Sequence, residues 1–198
     1  ITAVVALYVA GNTNLVRAIV GNQLLFFGII IAELGLVFFL SARIGSMSPS
    51  TATMAFAAYA VLNGLTLSVI FLAYTGASIA RAFFVTSATF GALSVYAITT
   101  KRELGGLGQY LFAGLSGIIL ASLLNMFLRS TALDYAISFV GVFLFMGLTA
   151  YDTQIIKRWS EELSDSADEA TFIRVSIMGA LKLYLDFINL FLFLLRFL

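Results

Sequence analysis

Apolar residues run in long blocks along this chain, and polar residues gather in short clusters between them. Six blocks are long enough to cross a bilayer as helix, which takes about 20 residues. They run from Leu24 to Ala42, Thr51 to Tyr74, Ser78 to Thr100, Leu107 to Leu128, Leu133 to Ile156 and Phe172 to Leu198. A shorter block, Ile1 to Ala10, reads as the tail of a first span that starts before Ile1. A cleaved signal peptide is the lesser reading, since no n-region or cleavage pattern is visible. No stretch shows the alternating segments of about ten residues that build membrane barrels. The pattern predicts an all-α integral membrane protein. Its fold is expected to be a seven-transmembrane-helix bundle, one domain over residues 1–198 with its first helix truncated.

The connections carry turn chemistry. They are Gly11-Asn-Thr-Asn14, Gly45-Ser-Met-Ser-Pro-Ser50, Lys101-Arg-Glu-Leu-Gly-Gly-Leu-Gly108 and a longer polar stretch from Lys157 to Glu169. Ser-Pro-Ser is a helix start signal. Counted alternately, one face collects Arg43, Lys101, Arg102, Lys157, Arg158 and Arg174, the other Arg17, Arg81, Arg129 and Arg196. Short cytoplasmic loops are rich in Lys and Arg, so the first face is expected inside and the C-terminus outside.

Composition narrows the chemistry. The chain is 61% hydrophobic and 11% charged, less than half the charged share of a soluble domain, about 25%. A net charge of +1 gives no reason to expect nucleic acid as a partner. There is no cysteine and no histidine. Disulfides and thiolate metal sites are therefore excluded, and the commonest general base is missing. The 16 glycines, many inside spans, let helix backbones approach closely in lipid.

Ionisable groups inside such spans are costly and mark function by default. Asp186 lies deep in the last block, and Asp152 ends the block before it. Lys182, Asp186, Asn189 and Arg196 are spaced by four, three and seven residues, which puts them on one helix face. A helix with one polar stripe and otherwise apolar sides belongs at the centre of a bundle, facing a cavity. Arg196 has a simpler reading, snorkelling to the headgroups. Glu33 sits mid-span and needs a cation or a proton; Arg196 and Lys182 are the candidate partners. Asn63 and Asn125 read first as interhelical hydrogen-bonding residues.

The string Leu183-Tyr-Leu-Asp-Phe-Ile-Asn-Leu-Phe191, with Leu194-Leu-Arg196, resembles the signature of the Bax inhibitor-1 (transmembrane Bax inhibitor motif) family. Gly147-Leu-Thr-Ala-Tyr-Asp-Thr-Gln154 matches that family's other landmark. Glu33 and the turn Thr99-Thr-Lys-Arg102 fit its bacterial inner-membrane branch best. The resemblance covers the whole chain apart from the missing start. It implies seven helices with the last at the centre, in a bacterial inner (plasma) membrane. It also implies a pH-sensitive calcium leak channel or exchanger. The pH sensor and ion gate map onto Asp152 and Asp186, with calcium, bound or transported, between those two carboxylates and no other cofactor. A latch arginine of the family has its nearest candidate in Arg43, offset from the pattern. Lys182 is the second latch candidate and a departure from the leak-forming bacterial member. Glu33 and Arg196 map onto a pore pair.

Other readings fail on particular residues. Gly114-Leu-Ser-Gly117 looks like a rhomboid serine motif, but no histidine is present to activate the serine. Tyr151-Asp152 resembles half of an intramembrane aspartyl protease site, but Asp186 follows Tyr184-Leu185 where such enzymes have Gly-x-Gly. Lys182 invites a retinal reading, yet Trp159 is the only tryptophan. The chain is expected to be no enzyme. Its expected partners are the lipid bilayer, calcium and protons. The alternative is a non-transporting regulator that binds membrane proteases or quality-control complexes.

Overall fold

The structure is a computed structural model, which describes residues 1–163 and 168–197. Nine α-helices and no strand are found among the described residues. The middle of the polar stretch between Lys157 and Glu169, and Leu198, lie outside them.

Side-chain caps start the helices where the turn residues predict. The Asn12 side chain accepts from the amides of Asn14 and Leu15. That cap separates α1 (Thr2–Ala10) from α2 (Thr13–Val20), which meet at a bend of 101°. Asn22 caps α3 (Gln23–Arg43), and a 3-10 turn at Ile44–Ser46 closes it. Ser48 Oγ accepts from Thr51 N at 3.2 Å, with Pro49 as the first residue of α4 (Pro49–Leu67). Proline suits that position because its missing N–H has no intrahelical partner there.

The chain continues through the single turn α5 (Ile70–Ala73), α6 (Gly76–Thr99), a 3-10 turn at Gly105–Leu107 and α7 (Gly108–Leu128). Arg129, at φ 49°, ends α7 in the left-handed region and turns the chain into α8 (Thr131–Leu163). Asp168 then caps α9 (Glu169–Phe197) by accepting from Thr171 N at 3.2 Å.

Among the described residues, six helical segments are long and apolar enough to cross a membrane: α3, α4 with α5, α6, α7, α8 and α9. The bent pair α1 and α2 reaches that length only when the two are taken together.

The structure departs most from the sequence reading at three places. The block Thr51–Tyr74 breaks at Ser68, whose hydroxyl donates to Leu65 O at 2.6 Å. The block Leu133–Ile156 runs on as helix to Leu163. Its polar end is built of good helix formers, with Lys157 and Glu161 one turn apart at 3.8 Å. At 33 residues, α8 is about 50 Å long against about 30 Å of hydrocarbon, so it projects beyond the membrane. The last helix starts at Glu169 rather than Phe172, because Asp168 supplies the cap.

The contacts fall into two groups, Ile1–Gly76 with Ala167–Met178, and Ala77–Ser166 with Gly179–Leu198. In the first, α1 and α3 each pack on α4. Gly64 makes that approach possible: a Cβ there would stand 2.7 Å from the Val5 side chain. Arg174 closes this group by donating from Nη1 to Gly45 O at 2.9 Å.

In the second, α7 packs on α8 around Ile118, Ile137, Leu144, Phe145 and Leu190. Gly141 lies under the Phe193 ring, where a Cβ would come within 2.8 Å. Many large apolar side chains face outward, Phe38, Phe84, Phe112 and Phe127 among them. Lipid is the solvent that makes such a surface stable, since it removes the penalty that water would impose.

Candidate functional site: an aspartate, a lysine and a second aspartate

The second group carries the site. Asp152 lies on α8 and is 5% exposed. Its Oδ1 accepts from the Lys182 ammonium of α9 at 3.0 Å. Asp186 follows Lys182 by one turn, is 4% exposed, and its Oδ2 is buried with no hydrogen-bond partner among the described residues. Asp186 also feels the charges of both Asp152 and Lys182. The cluster is thus two carboxylates and one ammonium, with one carboxylate paired and the other holding an unused acceptor. An orphaned buried carboxylate oxygen costs free energy unless a proton or a cation meets it.

The frame around the cluster is fixed. Thr149, one turn before Thr153, is fully buried and donates to Phe145 O at 2.7 Å. Thr153 and Ser94 of α6 bring their hydroxyls within 3.5 Å. Phe187, next to Asp186, packs edge to face on Phe83 and Phe90 of α6, at 5.9 and 5.5 Å between ring centroids. These contacts set the rotation of α9 and so the direction of Asp186.

One residue of the frame carries no sequence signal that singles it out. Gln154, two positions beyond Asp152, accepts from Leu104 N at 2.7 Å and from Arg158 at 3.0 Å. It donates to Arg102 O at 2.9 Å. A buried side chain of α8 thereby pins the turn between α6 and α7. Lys157 adds a bond to Ile98 O at 2.9 Å near the end of α6. A glutamine in a landmark string is visible in the sequence; its three partners are not.

The remaining candidates have partners of their own. Glu33, on α3, accepts from Asn63 Nδ2 and, at 2.9 Å, from Thr66 Oγ1, both on α4. Asn63 thus has the interhelical role that its type and place predict, and Thr66 is an addition. Arg196, expected to face Glu33, pairs with Asp134 at the start of α8, 3.1 Å away, with both side chains about half exposed. Those two residues line a shallow opening of about 210 Å³ with Ser122, Asn125 and Met126. Asp134 reads in the sequence as an ordinary acid of a first helical turn, so its role in anchoring Arg196 is not evident there.

Asn125, read as interhelical, instead accepts from Ser130 N at 2.9 Å in the turn after α7. Asn189 donates to Leu185 O of its own helix. Arg43 is exposed at the end of α3.

A resident calcium ion takes six to eight oxygen ligands. Among the described residues no three acids come together as a metal site, and one oxygen of Asp152 is engaged by an ammonium. The donor set does not fit a permanently bound calcium.

The comparisons with known proteins agree with the landmark strings. The family model described as "Inhibitor of apoptosis-promoting Bax1" matches residues 1–198. The inner membrane protein YbhL of Escherichia coli is 51% identical over 196 residues, covering 99% of this chain and 83% of the relative. An uncharacterised protein of Borreliella burgdorferi is 46% identical over 198 residues, covering 100% of this chain and 84% of the relative. One of Rickettsia prowazekii is 47% identical over 174 residues, with 87% and 72% covered. Six spanning segments and an inner-membrane relative agree with the expected location in a bacterial inner membrane. With both landmark strings inside a match that runs the whole length, this chain belongs to the Bax inhibitor family, as a multi-pass membrane protein.

Proposed function

We propose that this protein is a pH-sensitive leak channel or exchanger for cations, calcium among them, gated by Asp152 and Asp186. It is not an enzyme in this reading, and its working partners are the bilayer, protons and the cation it passes. One observation carries the proposal: Asp186 holds a buried carboxylate oxygen without a partner among the described residues, one helical turn from the lysine that neutralises Asp152. A structural ion pair needs Asp152 and Lys182 only. Asp186 is a second buried carboxylate beyond what that pair needs, and such groups in membranes mark ion and proton pathways.

The chemistry follows from charge. A proton on the aspartates lets two acids stay close in low dielectric. Its loss leaves like charges that repel, and the inner part of α9 is then free to shift against α8. The same two anions present hard oxygens to a cation. In this reading α9 is the central helix of the bundle, with its polar stripe turned inward. Arg43 is kept as a candidate second latch, and Glu33 and Arg196 as groups along the pathway on the outer side of the aspartates.

The deciding experiment is calcium flux in liposomes at several pH values, comparing wild type with Asp186→Asn and Asp152→Asn. Wild type passes calcium at a rate that changes with pH, and each variant flattens that change. If both variants keep the wild-type pH profile, the gate lies elsewhere. If no flux occurs at any pH, the chain is better read as a non-transporting regulator of other membrane proteins.

A further inference from the structure

Lys182 has a consequence for the kind of ion that the site accepts. Its ammonium is itself a cation, tethered to the protein and bonded to a carboxylate that would otherwise be available to a passing ion. Two carboxylates against one ammonium leave the cluster with a single net negative charge when both acids are ionised. The excess lies on Asp186, whose buried Oδ2 has no hydrogen-bond partner among the described residues.

We propose that Lys182 makes this a site for monovalent cations, sodium or potassium, and sets calcium at a disadvantage. The inference rests on the cation-leak reading for the site's purpose and names its preferred ion class. Charge balance carries it. A monovalent cation at Asp186 brings the cluster to neutrality. A calcium ion brings it to a net positive charge, in a place where Asp152 and Asp186 are almost wholly shielded from water and uncompensated charge is costly.

Ligand count points the same way. Calcium needs six to eight oxygens, and here one acidic oxygen is held by the ammonium while no third acid joins the two among the described residues. Lys182 is partly exposed, with 38% of its side-chain surface accessible against 8% for Asp152. The ammonium is thus the more open member of the ion pair.

The test counts charges. The full chain in detergent, at alkaline pH and constant ionic strength, is titrated with sodium and with calcium while its thermal midpoint is followed, since an ion that binds only the folded state raises that midpoint. Wild type and Lys182→Arg should be stabilised by sodium in preference to calcium. Lys182→Met carries two net negative charges and should reverse the preference, with the calcium-to-sodium affinity ratio rising at least tenfold. Asp152→Asn/Lys182→Met returns the cluster to one negative charge and should restore sodium, whereas Asp152→Asn alone has none and should respond to neither ion. The last two variants decide the matter even if Lys182→Met does not fold, because the double variant removes both partners of the ion pair.

The proposal is overturned if Lys182→Met keeps the wild-type preference, if wild type favours calcium, or if Asp152→Asn and Asp152→Asn/Lys182→Met respond alike. Flux through liposomes separates this from the leak reading. Ion preferences as described without any flux end the leak reading and leave the ion class standing. Flux with a preference that ignores residue 182 ends the ion-class inference alone.

Discussion

Lys182 and Asp152 form an ion pair at 3.0 Å between two helices, and the two partners differ in environment: the acid is almost fully buried and the lysine is half-buried. Breaking such a pair from either side leaves a charge without its partner. Lys182→Met should cost between the about 3–5 kcal/mol of a dry pair and the about 1 kcal/mol of an exposed one. Asp152→Asn/Lys182→Met should recover most of that loss. Thermal unfolding in detergent measures both, and a double variant no better than Lys182→Met alone would show that the two residues are not coupled.

Glu33 is held by two neutral donors on the neighbouring helix, so its stability effect should run through them. Asn63→Ala and Thr66→Val should each cost about 1 kcal/mol, the net worth of a hydrogen bond to a part-buried acceptor. Glu33→Gln should lower thermal stability more than Glu103→Gln, a loop control. A double-mutant cycle between Glu33 and Asn63 should give a coupling of at least about 0.5 kcal/mol. The same cycle between Glu33 and Arg196 tests the ion pair read from the sequence, and coupling there above the Asn63 value would restore it.

Gln154 bridges α8 to the turn before α7 through Leu104 N and Arg102 O. Gln154→Leu keeps the volume and removes every bond. The Leu104 amide should then exchange with solvent at least about tenfold faster, the kinetic equivalent of about 1.4 kcal/mol of lost protection. Unchanged exchange at Leu104 would mean that the turn is held by packing alone.

Asp168 gives a pH dependence with a definite sign. Its hydrogen bonds with Thr171 hold the carboxyl below its ordinary value. A carboxylate depressed in the folded state adds stability above its unfolded pKa, and that stability is lost as pH falls through the folded value. Protection of the first turn of α9 from hydrogen exchange should therefore weaken in acid. Asp168→Ala should show the weakened level at neutral pH with little further change on acidification. Asp168→Asn keeps an acceptor that does not titrate, so it should remove the pH dependence while keeping the cap.

The approximate positions of the spans, the Ser48-Pro49 helix start and the identity of the buried acids are legible along the chain. Each depends on local chemistry: apolar runs long enough for a bilayer, Ser48 placed one residue before a helix that opens on proline, and ionisable groups where hydrocarbon penalises them. The spacing of Lys182 and Asp186 by one turn is likewise visible as a shared face.

What the linear order does not contain is the choice of partner. Lys182 reaches Asp152, Arg196 reaches Asp134 and Glu33 reaches Asn63 and Thr66. Each choice depends on how far one helix is rotated and slid against the next. That setting is decided by distributed packing, such as Phe187 on Phe83 and Phe90 or Gly141 under Phe193. A helix turns about 100° per residue, so a small error in rotation sends a polar side chain to another neighbour. Helix periodicity says which residues share a face; only the packed structure says which face each of them meets.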